Sequence, residues 1–173
     1  MSLGVSRRAQ DLHRSTIRVL FDAADKNSEA IRLEVGEPSF TTPKHIIEAA
    51  ANAAVAGYTR YGPNGGLTSL RELLLDKLRT INGIDTSIDQ VVVTPGAMNG
   101  LYSIYAALLN PGDEVLLPTP GFPNMDETVR LLGGQPVFYE LKKSDGYLPD
   151  PDEIASLVTT QTKAMFLNTP SNP

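Results

Sequence analysis

The sequence predicts an α/β protein with three α-β-α layers around a mostly parallel sheet, preceded by an N-terminal arm. Two observations support this fold class. From residue 90 onward, short apolar runs typical of buried strands alternate with longer stretches of helical periodicity, and strands that alternate with helices usually pair in parallel. Clusters of glycine and proline separate these stretches, as expected for tight turns between elements.

The N-terminal part is predicted from weaker signals. Residues 1–30 are polar and weakly patterned, and both a helical arm and a solvated lead-in are consistent with them. Residues 31–35 alternate apolar and polar side chains, which predicts a short extended segment ending at Gly36. Thr42-Pro43 is typical of a helix start, with a capping hydroxyl followed by proline at the first helical position. It therefore predicts a helix over 43–56.

A regular alternation of elements follows a glycine-rich loop over 57–66. The leucine spacing predicts a helix over 67–81. The next elements are predicted in the order strand 90–94, helix 97–109, strand 114–117, helix 123–132, strand 136–140, helix 151–158 and strand 163–168. The last strand is apolar over 164–167, and such strands are usually covered on both faces. We therefore expect that it pairs between earlier strands or, preferably, that the sequence is a piece of a longer protein.

Composition excludes several classes of function. The chain has 173 residues, 41% of them apolar, and a formal net charge of −5, which argues against nucleic acid as a main partner. The absence of cysteine excludes disulfide scaffolds, thiolate zinc sites and cysteine nucleophiles. The two histidines, His13 and His45, are not spaced as a metal-binding pair. No apolar stretch of membrane-spanning or signal-peptide type occurs, so we expect a cytoplasmic protein, with an amphipathic transit peptide at the N-terminus as the alternative.

Three loops follow predicted strands, at the edge where doubly wound sheets bind ligands. The first, over 94–99, has small residues before a helix, which suits a phosphate or a plain tight turn. The second presents Phe122 from a proline-bounded turn, where an aromatic ring stacks on a planar cofactor or simply packs. The third contains Asn172, a candidate donor to a ligand oxygen or an ordinary turn residue, and an X-Pro bond there is a candidate cis bond.

Standard catalytic and nucleotide-binding motifs are missing. The sequence has no G-x-x-x-x-G-K-[ST], no G-x-G-x-x-G and no G-x-S-x-G motif, which disfavours ordinary nucleotide binding and serine hydrolysis. Tyr61, in a glycine- and proline-rich loop, is consistent with a surface residue, a ligand contact or a contact to a neighbouring subunit.

Six short motifs in order carry a family resemblance. They are GEPSFTTP at 36–43, YTRY at 58–61 with Gly66 and LRE at 70–72, VVTPGA at 92–97, PGDEV at 111–115, GG at 133–134, and NTPSNP at 168–173. Each is weak alone, but their order and spacing resemble the amino-terminal half of class I/II aminotransferases. These are fold-type I pyridoxal 5'-phosphate (PLP) enzymes of the aspartate aminotransferase superfamily. The resemblance covers the chain from about residue 15 to its end.

The resemblance implies a role for seven residues. Gly96, Ala97 and Met98 would bind the cofactor phosphate, which Tyr61 of a neighbouring subunit would also reach. Phe122 would stack on the pyridine ring, and Asn172 would form a hydrogen bond to the ring oxygen. Gly36 would contact the substrate carboxylate. Two positions depart from the usual family pattern. Ala97-Met98 stands where many members have Ser, Thr or Lys, and Phe122 where Trp or Tyr is frequent. These departures leave substrate and subfamily open.

The resemblance also implies what the chain lacks. The family's Schiff-base lysine, its aspartate on the pyridinium nitrogen and its carboxylate-binding arginine would lie beyond Pro173, so no catalytic residue is expected in this chain. Residues 1–35 would be an arm or small-domain segment, and 36–173 the first part of the PLP-binding large domain. The complete protein is then expected to be a homodimeric aminotransferase of amino acid metabolism, acting on an amino acid and a 2-oxo acid. The 173-residue chain alone is expected to be inactive.

Other functions stay open on the sequence. A C–S lyase, a decarboxylase or a synthase of the same fold type would share all six motifs. A non-catalytic fragment or binding module for phosphate compounds or a partner is an alternative from another class. A nucleotide-binding doubly wound domain is disfavoured by the loop spacing.

Overall fold

A computed structural model describes residues 4–13, 16–33 and 36–172 of the chain, and for Thr16 the backbone only. Within these ranges the helices are α1 (Arg7–Gln10), α2 (Thr16–Ala24), α3 (Lys44–Val55), α4 (Thr68–Thr80), α5 (Ala97–Leu108), α6 (Asn124–Leu131) and α7 (Pro151–Leu157). The strands are β1 (Glu114–Thr119), β2 (Gln135–Glu140) and β3 (Thr162–Met165). The chain divides into two compact units, one of Met1–Val35 with Leu101–Pro173 and one of Gly36–Gly100.

The first unit contains a three-stranded parallel sheet in the order β2-β1-β3. The apolar middle of the central strand β1 is covered on both faces, since Val115, Leu116 and Leu117 are at most 2% exposed and successive side chains point to opposite faces. Met125 and Val129 of α6 complete this core. The predicted α/β class with a parallel sheet is therefore confirmed. The last strand lies at an edge of this sheet beside β1 and not between earlier strands, and it ends at Met165, three residues before the predicted end.

The predicted strand over 90–94 is wrong. A 3₁₀ turn occupies Ile88–Gln90, and residues 91–94 run without strand pairing to any described residue. The amide of Val93 instead donates to the carbonyl of Gly65 at 2.9 Å. A run of β-branched residues favours extended backbone, but a strand also needs a neighbouring strand to complete its ladder.

The helices from α3 onward lie where the sequence predicts them, and no helix end is displaced by more than one residue. The predicted start of α3 is displaced by one residue, because the extended backbone of Pro43 (ψ 137°) places it before the helix without a side-chain cap. The start of α7 follows its sequence signal closely. The Asp150 carboxylate accepts a hydrogen bond from the amide of Asp152 at 2.9 Å, and Pro151 is the first helical residue.

The arm is helical over Arg7–Gln10 and Thr16–Ala24. The predicted extended segment over 31–35 is irregular and exposed at 31–33, and its last two residues lie outside the described ranges. His13 anchors the arm to α6: its backbone amide and its Nδ1 lie 3.1 and 3.3 Å from the two carboxylate oxygens of Glu127.

Two features are missing from the described residues. No described helix has the length and hydropathy needed to cross a membrane. Among the same residues, no group of three or more histidine, aspartate or glutamate side chains is arranged to hold a metal ion.

Candidate active site

The carboxyl edge of the sheet places two of the predicted loops side by side. We call residues 120–123 the β1 loop and residues 166–172 the β3 loop. Because β1 and β3 are neighbouring parallel strands, the segments that leave their carboxyl ends start at the same edge of the sheet. Thr169-Pro170 is a cis bond, as proposed for this loop, and so is Thr119-Pro120.

The β1 loop is held close to the strand that precedes it. A Cβ at Gly121 would lie 2.5 Å from the carbonyl oxygen of Pro118, so only glycine fits this turn without displacing backbone. Phe122 follows it, is partly buried, and its carbonyl accepts the Met125 amide at the start of α6. The turn therefore fixes the direction in which Phe122 leaves the sheet.

A cavity of about 670 Å³ opens beside these two loops. The residues that line it include Tyr139 of β2, Leu141 just after β2, Gly121 of the β1 loop and Ser171 of the β3 loop. Phe122 and Asn172 do not line the cavity, although each is next in sequence to a residue that does. Asn172 itself is exposed. The structure thus brings their two loops to one edge of the sheet but places neither side chain in this cavity.

The second unit contains the predicted anion site. We call residues 94–98 the glycine loop. Gly96 has φ +87°, a left-handed conformation that favours glycine, and Ala97 and Met98 are the first two residues of α5. The amides of a first helical turn have no partner within their helix, and the helix dipole adds positive potential there. This loop therefore has the backbone geometry that phosphate groups bind.

Side chains that sequence reasoning did not single out brace the glycine loop. The Thr94 hydroxyl donates to the Gly96 carbonyl at 3.0 Å. The Arg71 guanidinium donates to the carbonyl oxygens of Val91, at 2.8 Å, and Ile88, which fixes the segment leading into the loop. The LRE motif contained Arg71, but only the fold shows that its partners are backbone carbonyls 17 and 20 residues away in sequence.

Two predicted residues have no packing partner near them in the described part of the chain. The Tyr61 side chain is fully exposed, with a relative accessibility of 108%. A Cβ at Gly36 would meet no described atom within 4 Å. Their roles toward a ligand therefore stay predictions.

Comparison with known proteins identifies the family. The family model for aminotransferase class I and II matches residues 28–173. The chain belongs to this family. Its curated relatives include an aspartate aminotransferase of Pyrococcus horikoshii, 38% identical over 169 residues, and an aspartate/prephenate aminotransferase of Thermus thermophilus, 37% identical over 174 residues. Each alignment covers 98% of this chain but 43% and 45% of the respective relative.

A solved structure agrees with this membership. The aspartate aminotransferase from Thermus thermophilus with maleate superposes with a TM-score of 0.92 at 36% identity, over 98% of this chain and 46% of that one. The chain thus spans less than half the length of these relatives, and the fold type predicted from the six motifs is confirmed. Enzymes of this family depend on PLP.

Proposed function

We propose that the complete protein is a PLP-dependent aminotransferase that moves an amino group between an amino acid and a 2-oxo acid. The observation that supports it best is the glycine loop. It presents Gly96 in a left-handed conformation at the start of the 12-residue helix α5, within a chain of the aminotransferase family. Relatives named for aspartate and prephenate make aspartate the first amino donor to examine.

Each proposed residue has a chemical group that suits one part of the cofactor. Backbone amides at Ala97 and Met98 would bind its phosphate, with the positive end of the α5 dipole behind them. Phe122 would stack on the pyridine ring, and the Asn172 amide would donate to the ring oxygen. Because Gly36 has no side chain, a substrate carboxylate would be able to contact its backbone. The bound cofactor would act as an electron sink for the substrate carbanion.

We also propose a cytoplasmic homodimer with a role in amino acid biosynthesis. The full exposure of the Tyr61 ring supports a role outside its own subunit, where it would reach the phosphate bound by a second copy. Residues 1–35 would serve as the arm or small-domain segment, and 36–173 as the first part of the PLP-binding domain. Sedimentation of the protein with PLP tests the dimer, and a monomer would contradict the role proposed for Tyr61.

The activity is tested on the protein expressed from its complete reading frame and loaded with PLP. With aspartate as donor and 2-oxoglutarate as acceptor, we expect matched formation of a new amino acid and a new 2-oxo acid. A panel of other donors follows if aspartate is not used. Release of carbon dioxide or sulfide without a new amino acid would instead indicate a decarboxylase or a C–S lyase and overturn the proposal.

The 173-residue chain provides the matched negative control. None of its six lysines lies in a motif that resembles the family's cofactor-linking lysine. We expect no transamination from this chain at any PLP concentration. Turnover by the purified 173-residue chain, free of other aminotransferases, would contradict this assignment of roles.

A further inference from the structure

The pairing between β1 and β3 stops at a proline. The Phe166 amide donates to the Leu116 carbonyl at 2.8 Å, in the register that pairs Leu116 with Met165. In a parallel ladder, the next bond would run from the nitrogen of residue 118 to the carbonyl oxygen of Phe166. Residue 118 is proline and has no N–H to donate. The backbone of β1 therefore cannot satisfy the Phe166 carbonyl.

A side chain from the opposite neighbour of β1 supplies the missing donor. Tyr139 of β2 is in register with Pro118. Its hydroxyl donates to the Phe166 carbonyl oxygen at 2.8 Å, and the residue is only 1% exposed. Burial raises the pKa of Tyr139, which keeps the hydroxyl in its donating, neutral form. The tyrosine thus connects the two outer strands of the sheet across the proline.

We propose that Tyr139 is a positioning residue whose hydroxyl replaces the ladder amide absent at Pro118 and fixes the start of the β3 loop. Phe166 is the first residue of that loop, and Asn172 is the last described one. Tyr139, Pro118 and Leu167 also line the 670 Å³ cavity, so the bond shapes its wall where the loop departs. The consequence for cofactor binding, though not the bond itself, rests on the proposed function.

Tyr139→Phe removes only the hydroxyl and leaves the Phe166 carbonyl without its donor. This hydrogen bond is part-buried, and losing one such bond lowers the equilibrium constant for local closure roughly tenfold. We therefore expect the Phe166 amide to exchange its hydrogen about tenfold faster in the protein expressed from its complete reading frame. The Leu141 amide, bonded to the Thr119 carbonyl at 2.8 Å on the other side of β1, should exchange at its original rate.

Tyr105→Phe is the matched control variant. Tyr105 is also buried, at 3% exposure, but it lies in α5, outside the pairing of β1 with β3. We expect this variant to leave exchange at Phe166 and the affinity for PLP unchanged, whereas Tyr139→Phe should weaken PLP binding several-fold. Equal effects of the two variants at Phe166 would mean that loss of any buried hydroxyl loosens the sheet, and would overturn the proposal.

A rescue experiment separates positioning from a general packing role. Pro118→Val restores a backbone N–H opposite the Phe166 carbonyl. In that background, Tyr139→Phe should change Phe166 exchange by less than about threefold. An undiminished tenfold effect would refute the replacement of the ladder amide by Tyr139. If the unaltered protein binds no PLP, the proposed function fails, while the exchange measurements still decide the role of Tyr139.

Discussion

Replacing Gly96 by alanine tests the glycine loop, and Gly57→Ala provides a matched control. The two glycines have nearly the same left-handed backbone, with φ of +87° and +86°. At neither would an added Cβ meet a described atom within 4 Å. Any difference between the variants therefore reflects what the position does and not how a methyl group fits. Gly57 follows α3 and has no proposed role in the cofactor site.

The expected magnitude follows from the backbone conformation. A residue with a Cβ costs about 1–2 kcal/mol in the left-handed region. For Gly57→Ala we expect the free energy of unfolding to fall by this full amount, both with and without PLP. In Gly96→Ala the loop can relax to another conformation when no ligand is bound. PLP binding must then restore φ > 0 at position 96 to align the amides of Ala97 and Met98, and the cost of this change lowers the affinity. The stability lost without PLP and the binding free energy lost should therefore together amount to about 1–2 kcal/mol.

The measurements are urea unfolding and PLP titration of the protein from its complete reading frame. If half of the cost appears on binding, Gly96→Ala weakens PLP binding roughly twofold to fivefold, whereas Gly57→Ala leaves it unchanged. Unchanged affinity and unchanged stability in Gly96→Ala would refute the argument. Equal loss of PLP affinity in both variants would show that a general destabilisation, and not the glycine loop, controls binding.

Three other predictions concern single residues of the first unit. Gly121→Ala should cost about 1–3 kcal/mol of stability and weaken PLP binding, because its Cβ would lie 2.5 Å from the Pro118 carbonyl; thermal unfolding at wild-type temperature would contradict this. Phe122→Leu should weaken PLP binding about threefold to tenfold by loss of ring stacking, while Phe122→Tyr should retain it; equal weakening by both would exclude stacking. The Asn110 backbone amide, 2.7 Å from the carboxylate, lowers the pKa of Asp113 below its usual 3.8. Its stabilisation is therefore present above pH 3.8 and is lost as pH falls through the lower, folded-state pKa. Asp113→Asn should make the loss of thermal stability with acid shallower, and an unchanged acid profile would show that this bond does not matter.

Much of the fold and of the candidate site follows from local sequence signals. Asp150-Pro151 predicts the start of α7. The Asp150 carboxylate caps the helix and the fixed φ of Pro151 suits its first residue, and both effects depend only on neighbouring residues. Alternating strands and helices predict a parallel sheet, which in turn predicts that the segments after β1 and β3 leave from one edge. The glycine loop could also be located in advance, because a glycine next to a helix start is a local feature.

The remaining features depend on pairs of residues distant in sequence. Residues 91–94 have a strand-like composition, yet no described strand lies beside them to complete a ladder, and a local pattern carries no information about that neighbour. The need for glycine at position 121 arises from its approach to a backbone carbonyl. In the sequence, Tyr139 has no feature that distinguishes it from other strand residues. Only the sheet order shows that it lies opposite Pro118 and that its hydroxyl reaches Phe166, 27 residues away. Local sequence determines which backbone conformations are favourable, whereas only tertiary packing determines which donors and acceptors meet.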